Sequence, residues 1–114
     1  MITIYYNPKC TKCRIAREAL DKAGEELEIK EYLVHPPSKK ELKDLLQKLQ
    51  LSAEAVIRKN EEEWQQFQGK RWSEEELLDI LVKYPKLLQR PIIVKGDKAV
   101  IGRDEESLRK IVVG

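Results

Sequence analysis

The chain has 114 residues, and its 22 basic and 20 acidic side chains give a formal net charge of +2. This length suits one hydrophobic core, so we expect a single domain over residues 1–114. Charges of both signs are mixed along the chain, which argues against direct binding of nucleic acid. No apolar run approaches the ~20 residues of a membrane span and no signal-peptide pattern follows Met1, so we expect a cytoplasmic protein that does not enter a membrane.

The first third of the sequence has the order of a β-α-β unit. A β-branched and aromatic run over residues 2–6 predicts a buried strand that ends at the turn residues Asn7-Pro8. Apolar residues then recur at helical spacing up to Gly24 and predict a helix over residues 11–23, with Thr11 as its N-cap. Residues 27–33 predict a second strand, parallel to the first.

The middle of the chain is predicted to be helical. Capping boxes begin at Ser38 and at Ser73, and each precedes leucines at helical spacing. Shorter helices are expected at about residues 52–58 and 61–67. Residues 36–85 are therefore predicted to form a helical insert.

The last third predicts a β-hairpin and a final helix. Strands at residues 92–94 and 99–101 are joined through Gly96-Asp97, and the helix that follows is capped by Asp104. The order β-α-β, helices, β-β-α is that of an α/β, thioredoxin-like (glutaredoxin-like) fold. Its core would consist of residues 1–35 and 86–114, with the insert between the two halves.

Both cysteines lie in one short motif, Cys10-Thr11-Lys12-Cys13, at the predicted turn between the first strand and the first helix. Helix N-terminal amides favour a thiolate, so Cys10 is predicted to be reactive. Cys13, one turn into the helix, is predicted either to resolve an intermediate on Cys10 or to be a passive core residue. The alternative interpretation of the motif is that both cysteines are unreactive and serve only as small hydrophobic residues. A disulfide framework and a four-ligand zinc site are both excluded, because these are the only cysteines and His35 is the only histidine.

Arg90-Pro91 precedes a predicted buried strand, where a proline fits only at the first position or on an edge. Thioredoxin-like folds have a cis proline facing the reactive cysteine at this place, so Pro91 is a candidate for that role. Arg90 would then point near the thiolate, although an arginine before a strand is by itself more often a solvated surface group. Arg58 and Arg103, at the ends of other elements, would also be surface groups unless they bind an anion.

Several motifs spread over nearly the whole chain resemble, in order and separation, the glutaredoxin-linked arsenate reductase family. They are Asn7-Pro8-Lys9-Cys10, His35-Pro36-Pro37-Ser38, Val56-Ile57-Arg58-Lys59-Asn60, Leu88-Gln89-Arg90-Pro91-Ile92-Ile93-Val94 and Gly102-Arg103. The resemblance implies that Cys10 is the nucleophile and that Arg58, Arg90 and Arg103 hold a small oxyanion. It also implies a role in arsenic detoxification, with no bound cofactor, glutathione as a co-substrate, and glutaredoxin or thioredoxin as the reductant.

Two residues depart from the best-known branch of that family. Tyr6 stands where that branch has a histidine thought to assist the cysteine, and Cys13 is absent from the branch. A Cys-x-x-Cys pair at this place is similar to the Spx-type regulators, a sister group that binds RNA polymerase and senses disulfide stress. Three hypotheses follow: an arsenate reductase, a redox-sensing regulator with a Cys10/Cys13 switch, and a thiol oxidoreductase of unknown substrate. The three arginines favour the first.

Overall fold

The computed structural model describes residues 1–113, and the side chains of residues 1–112. Contacts within the chain divide it into two compact units. The first contains residues 1–35 and the residues from Arg90 onward, and the second contains residues 36–89. Residues 86–89, assigned to the core from the sequence, belong to the second unit. No helix in the described chain is long and apolar enough to cross a membrane.

The first unit is built on a four-stranded sheet with the order β2-β1-β3-β4. Its strands are β1 (Ile2–Tyr5), β2 (Leu27–Lys30), β3 (Ile92–Lys95) and β4 (Lys98–Ile101). β1 pairs in parallel with β2, while β1–β3 and β3–β4 are antiparallel. The unit also contains helices α1 (Thr11–Lys22) and α4 (Glu105–Val113). The predicted α/β, thioredoxin-like class is confirmed.

The register of the sheet aligns apolar side chains on the face that packs against the helices. Ile4 of β1 pairs with Ile29 of β2 and with Ile93 of β3. Because these residues share one face of the pleat, they form a continuous apolar layer with α1 and α4. The buried core consists of Ile2, Ile4, Tyr6, Cys13, Ala16, Leu20, Ile93, Leu108 and Ile111.

Glycines fix two connections near the end of the chain. Gly96, in the hairpin turn, has φ +63°, a backbone conformation that residues with a side chain rarely adopt. Gly102 follows β4, and a Cβ added there would lie 2.3 Å from Ile93 Cδ1. Any larger residue at this position would therefore have to displace the buried Ile93 side chain. The helix that follows is capped as predicted, because the Ser107 amide donates to Asp104 Oδ1 at 2.7 Å.

The second unit contains helices α2 (Lys39–Leu49) and α3 (Glu74–Lys83). Ser38 and Ser73 accept the N3 amides as predicted, and the capping box at Ser73 is complete. The helices expected at residues 52–58 and 61–67 are shorter 3-10 turns, Glu54–Val56 and Glu62–Phe67, and a further turn spans Pro85–Leu87. Each segment has only three to six residues, and helical pieces this short commonly adopt the tighter i to i+3 hydrogen bond.

Candidate active site

Cys10 is the N-cap of α1, so the prediction of Thr11 at this position is wrong. Its backbone is extended (φ −94°, ψ 119°), and its Sγ accepts a hydrogen bond from the Cys13 amide at 3.4 Å. The preceding turn is fixed because the Cys10 amide donates to the Asn7 carbonyl at 2.9 Å. The sulfur therefore occupies the place of an oxygen cap, among helix amides that have no partner within the helix.

The surroundings of Cys10 favour its thiolate. Burial of the half-buried side chain is the largest single influence, and it opposes ionisation. Hydrogen bonds from the Cys13 backbone and from the Arg90 side chain, with the charge of Arg90, act in the other direction and together outweigh burial. The pKa of the Cys10 thiol is therefore lowered from its ordinary value, which is the condition for a cysteine nucleophile near neutral pH.

Cys13 lies in the opposite environment. Its side chain is fully buried in the core of the first unit, and burial raises the pKa of its thiol to about 12. Both cysteines are free thiols, and Cys10 and Cys13 are 3.3 Å from each other. One thiol is thus prepared to attack a substrate, while the second is kept protonated next to it.

Arg90 and Pro91 immediately precede β3. The Arg90–Pro91 peptide bond is cis, as expected for Pro91 in this fold. The Pro91 carbonyl accepts the Gly102 amide at 2.8 Å, which ties this segment to the end of β4. The half-buried Arg90 guanidinium interacts with the Cys10 sulfur and also faces Tyr32. Arg90 is thus the arginine that the structure brings to the nucleophile.

Tyr32 interacts with Arg90 and with both cysteines, but it was not predicted from the sequence to be a functional residue. Its side chain is fully buried, and burial raises the pKa of its hydroxyl to about 12. Arg90, Cys13 and Cys10 are the charged or ionisable groups that influence it. The Arg90 side chain interacts with this hydroxyl, but within the described side chains of residues 1–112 the contact does not reach normal hydrogen-bond geometry. The sequence showed only an aromatic residue at the end of a strand, which carries no signal for such a role.

The other two predicted arginines have different surroundings. Arg58 belongs to the second unit, where its backbone amide donates to the Leu87 carbonyl at 2.7 Å. Its guanidinium forms an ion pair with Glu61, and both side chains are largely buried. In the first unit, Arg103 and Lys12 lie along a cavity of about 460 Å³ whose apolar lining includes Ile15 and Leu108.

The side chains near Cys10 suit thiol chemistry and not metal binding. Among residues 1–112, no group of three or more His, Cys, Asp or Glu side chains is placed to bind a metal ion. The cluster around Cys10 instead offers one activated thiol, one protonated thiol and one guanidinium. These groups suit nucleophilic attack on an oxyanion followed by thiol exchange.

Comparisons with known proteins agree with the resemblance found in the sequence. The ArsC family profile matches residues 5–111. The arsenate reductase of Neisseria meningitidis serogroup B (strain ATCC BAA-335 / MC58) is 33% identical over 114 residues, covering 97% of each chain. The uncharacterized protein YfgD of Escherichia coli (strain K12) is 38% identical over 114 residues, covering 97% of this chain and 96% of that one.

A solved structure supports the same assignment. The arsenate reductase from Vibrio cholerae has a TM-score of 0.91 against this chain at 34% identity, and the match covers 96% of both chains. The family profile therefore spans nearly the whole sequence, and the fold agrees with that of a solved relative. The chain belongs to the ArsC family.

Proposed function

We propose that the protein reduces arsenate to arsenite, with Cys10 as the nucleophile and Arg90 as an oxyanion-binding group. The observation that carries this proposal is the meeting of a thiol of lowered pKa with a guanidinium at the N-terminus of α1. Arginine forms paired hydrogen bonds with tetrahedral oxyanions, and a thiolate is the form of cysteine that attacks. The family resemblance assigns Arg58 and Arg103 to the same oxyanion.

The reaction begins with attack of the Cys10 thiolate on arsenic. An S–As bond forms, and one arsenic oxygen leaves as water after protonation, so that arsenic remains in the +5 state. The guanidinium of Arg90 offsets the negative charge of the bound oxyanion and of the departing oxygen. Removing one such contact is expected to reduce kcat by on the order of 10²- to 10³-fold.

A second thiol then completes the reduction. Its sulfur attacks Cys10 Sγ, an S–S bond forms, and the S–As bond breaks with its electron pair on arsenic, which leaves as arsenite. Cys13 and glutathione are the two candidates for this step. If Cys13 acts, the resulting Cys10–Cys13 disulfide is reduced by glutaredoxin or thioredoxin.

A steady-state assay tests the proposal. Purified protein is supplied with arsenate and either glutathione with glutaredoxin or thioredoxin with its reductase, and arsenite is measured. Cys10→Ser should abolish arsenite formation, while Cys13→Ser should slow turnover with only one of the reductants. Absence of arsenite under every reductant, with a free thiol still present on Cys10, would refute the proposal.

A redox-sensing function is the second candidate, and the close Cys10–Cys13 pair is the observation that favours it. In that function the disulfide would alter a surface that binds RNA polymerase. A pull-down with the RNA polymerase α subunit, using reduced and oxidised protein, tests this alternative. Binding that depends on the disulfide would support it, and equal or absent binding in both states would reject it.

A further inference from the structure

The second unit contains a cavity of about 580 Å³ with aromatic walls. Its lining includes the buried side chains of Trp64 and Leu77 and the half-buried rings of Phe67 and Trp72. None of the cysteines or arginines assigned to the reaction belongs to its described lining. Small-molecule sites typically have volumes of about 300–1,000 Å³, so this cavity is large enough for a ligand of two fused rings.

Contacts within the second unit hold the aromatic walls in place. The Trp72 indole Nε1 donates to the Phe67 carbonyl at 2.9 Å, which closes the loop between these two residues. Gly69 in this loop has φ +77°, a backbone conformation that favours glycine. The centroid of the Phe67 ring lies 5.8 Å from that of Trp64 and 5.5 Å from that of Trp72. The cavity is therefore preformed, which lowers the entropic cost of binding a ligand.

The rim of the cavity carries an excess of positive charge. Glu54 and Lys59 both line it, and they pair with each other at 2.8 Å. Lys70 and Arg71 line it as well, and these two exposed side chains form no ion pair with any described residue.

Most other basic side chains of the second unit do have acidic partners. They are Lys39, Lys43, Lys48, Arg58, Lys59 and Lys86. Lys70 and Arg71 therefore remain available to an anion that enters the cavity.

We propose that this cavity binds a small aromatic anion, a flat ring that carries an acidic group such as a carboxylate. The ring packs against Phe67 and Trp72, because aromatic pairs gain from offset and edge-to-face contacts. The acidic group pairs with Lys70 and Arg71, and an arginine fork holds such oxygens through two parallel hydrogen bonds. A cationic ligand would be repelled by the same two side chains. The inference goes beyond the proposed arsenate reduction and does not depend on it.

Fluorine NMR of protein labelled with fluorotryptophan tests the proposal. Trp64 and Trp72 are the only tryptophans of the chain and both line the cavity, so each signal reports directly on it. The probe is naphthoate, and its matched control is naphthamide, which has the same rings and no charge. Naphthoate should shift both signals in a saturable manner, and naphthamide should bind on the order of tenfold more weakly. Signals that do not shift, or shift without saturation, at millimolar naphthoate would overturn the inference, as would equal affinities for the two probes.

Exchange of the two cations tests their role separately. The double variant Lys70→Gln/Arg71→Gln should bind naphthoate on the order of tenfold more weakly and bind naphthamide as the wild type does. The double variant Lys22→Gln/Lys40→Gln removes the same charge from exposed positions that do not line the cavity and should match the wild type with both probes. All four side chains are exposed, so both variants should fold, and thermal unfolding checks this. Equal naphthoate affinity in the two double variants would overturn the inference, because the effect would then be one of overall charge.

Discussion

Replacing Arg90 with glutamine should strongly reduce the reactivity of Cys10. In the wild type, the hydrogen bond and the charge of Arg90 help to outweigh the effect of burial, which favours the neutral thiol. Without Arg90, fewer interactions oppose the effect of burial, so the pKa of Cys10 should rise. The fraction of thiolate at neutral pH should therefore fall.

The size of the effect follows from the type of contact that is lost. A hydrogen bond to a charged group contributes about 1.5–3 kcal/mol. Because Cys10 is only half-buried, solvent screens the interaction, and the lower end of that range applies. About 1.5 kcal/mol corresponds to roughly a tenfold loss of thiolate when the pKa lies above the working pH.

The assay is the rate of alkylation of Cys10 by iodoacetamide as a function of pH, with the modified residue identified by mass spectrometry. Arg14→Gln is the matched control, because it removes an exposed arginine close to the motif that is not among the main influences on the pKa of Cys10. Arg90→Gln should react about tenfold more slowly at neutral pH, whereas the control should react at the wild-type rate. Equal rates in Arg90→Gln and the wild type would refute the role assigned to Arg90.

Two further predictions concern stability. Gly102→Ala should lower the free energy of unfolding by about 1–3 kcal/mol in urea titrations, because the added Cβ lies too close to the buried Ile93 side chain. Ile93→Val should restore part of the loss, and an unchanged midpoint in Gly102→Ala would contradict the close packing. The free energy of unfolding should also fall between about pH 9 and pH 12, because the folded chain keeps the protons of Cys13 and Tyr32 that the unfolded chain releases. Cys13→Ala should reduce this slope, and a flat profile in the wild type would show that neither group is protected.

The fold was predictable where the signals are local. Apolar periodicity, the caps at Ser38 and Ser73 and the turn at Gly96 each depend on a few neighbouring residues, and each appears in the structure. The N-cap of α1 was assigned to the wrong residue, because threonine is the more common cap and the sulfur of Cys10 was read only as a nucleophile. The 3-10 turns were predicted as longer helices, since spacing alone does not distinguish the two.

The candidate site was predictable only in part. Cys10 was found from its place at a strand-to-helix turn, and Pro91 from its place before a buried strand. Tyr32 was missed because its burial depends on residues far away in the sequence that only the fold brings together. The ion pair of Arg58 with Glu61 was also missed, because three-residue spacing between opposite charges is common in any charged segment.

A single-turnover experiment tests the central claim most directly. Fully reduced protein is mixed with arsenate in the absence of any other thiol, and both arsenite and the Cys10–Cys13 disulfide are measured. We expect arsenite and the disulfide to appear in equal amounts, and neither to form in Cys10→Ser. Arsenate that remains fully unreduced while Cys10 stays a free, reactive thiol would contradict self-resolution by Cys13, and the same result after adding glutathione and glutaredoxin would contradict arsenate reduction itself.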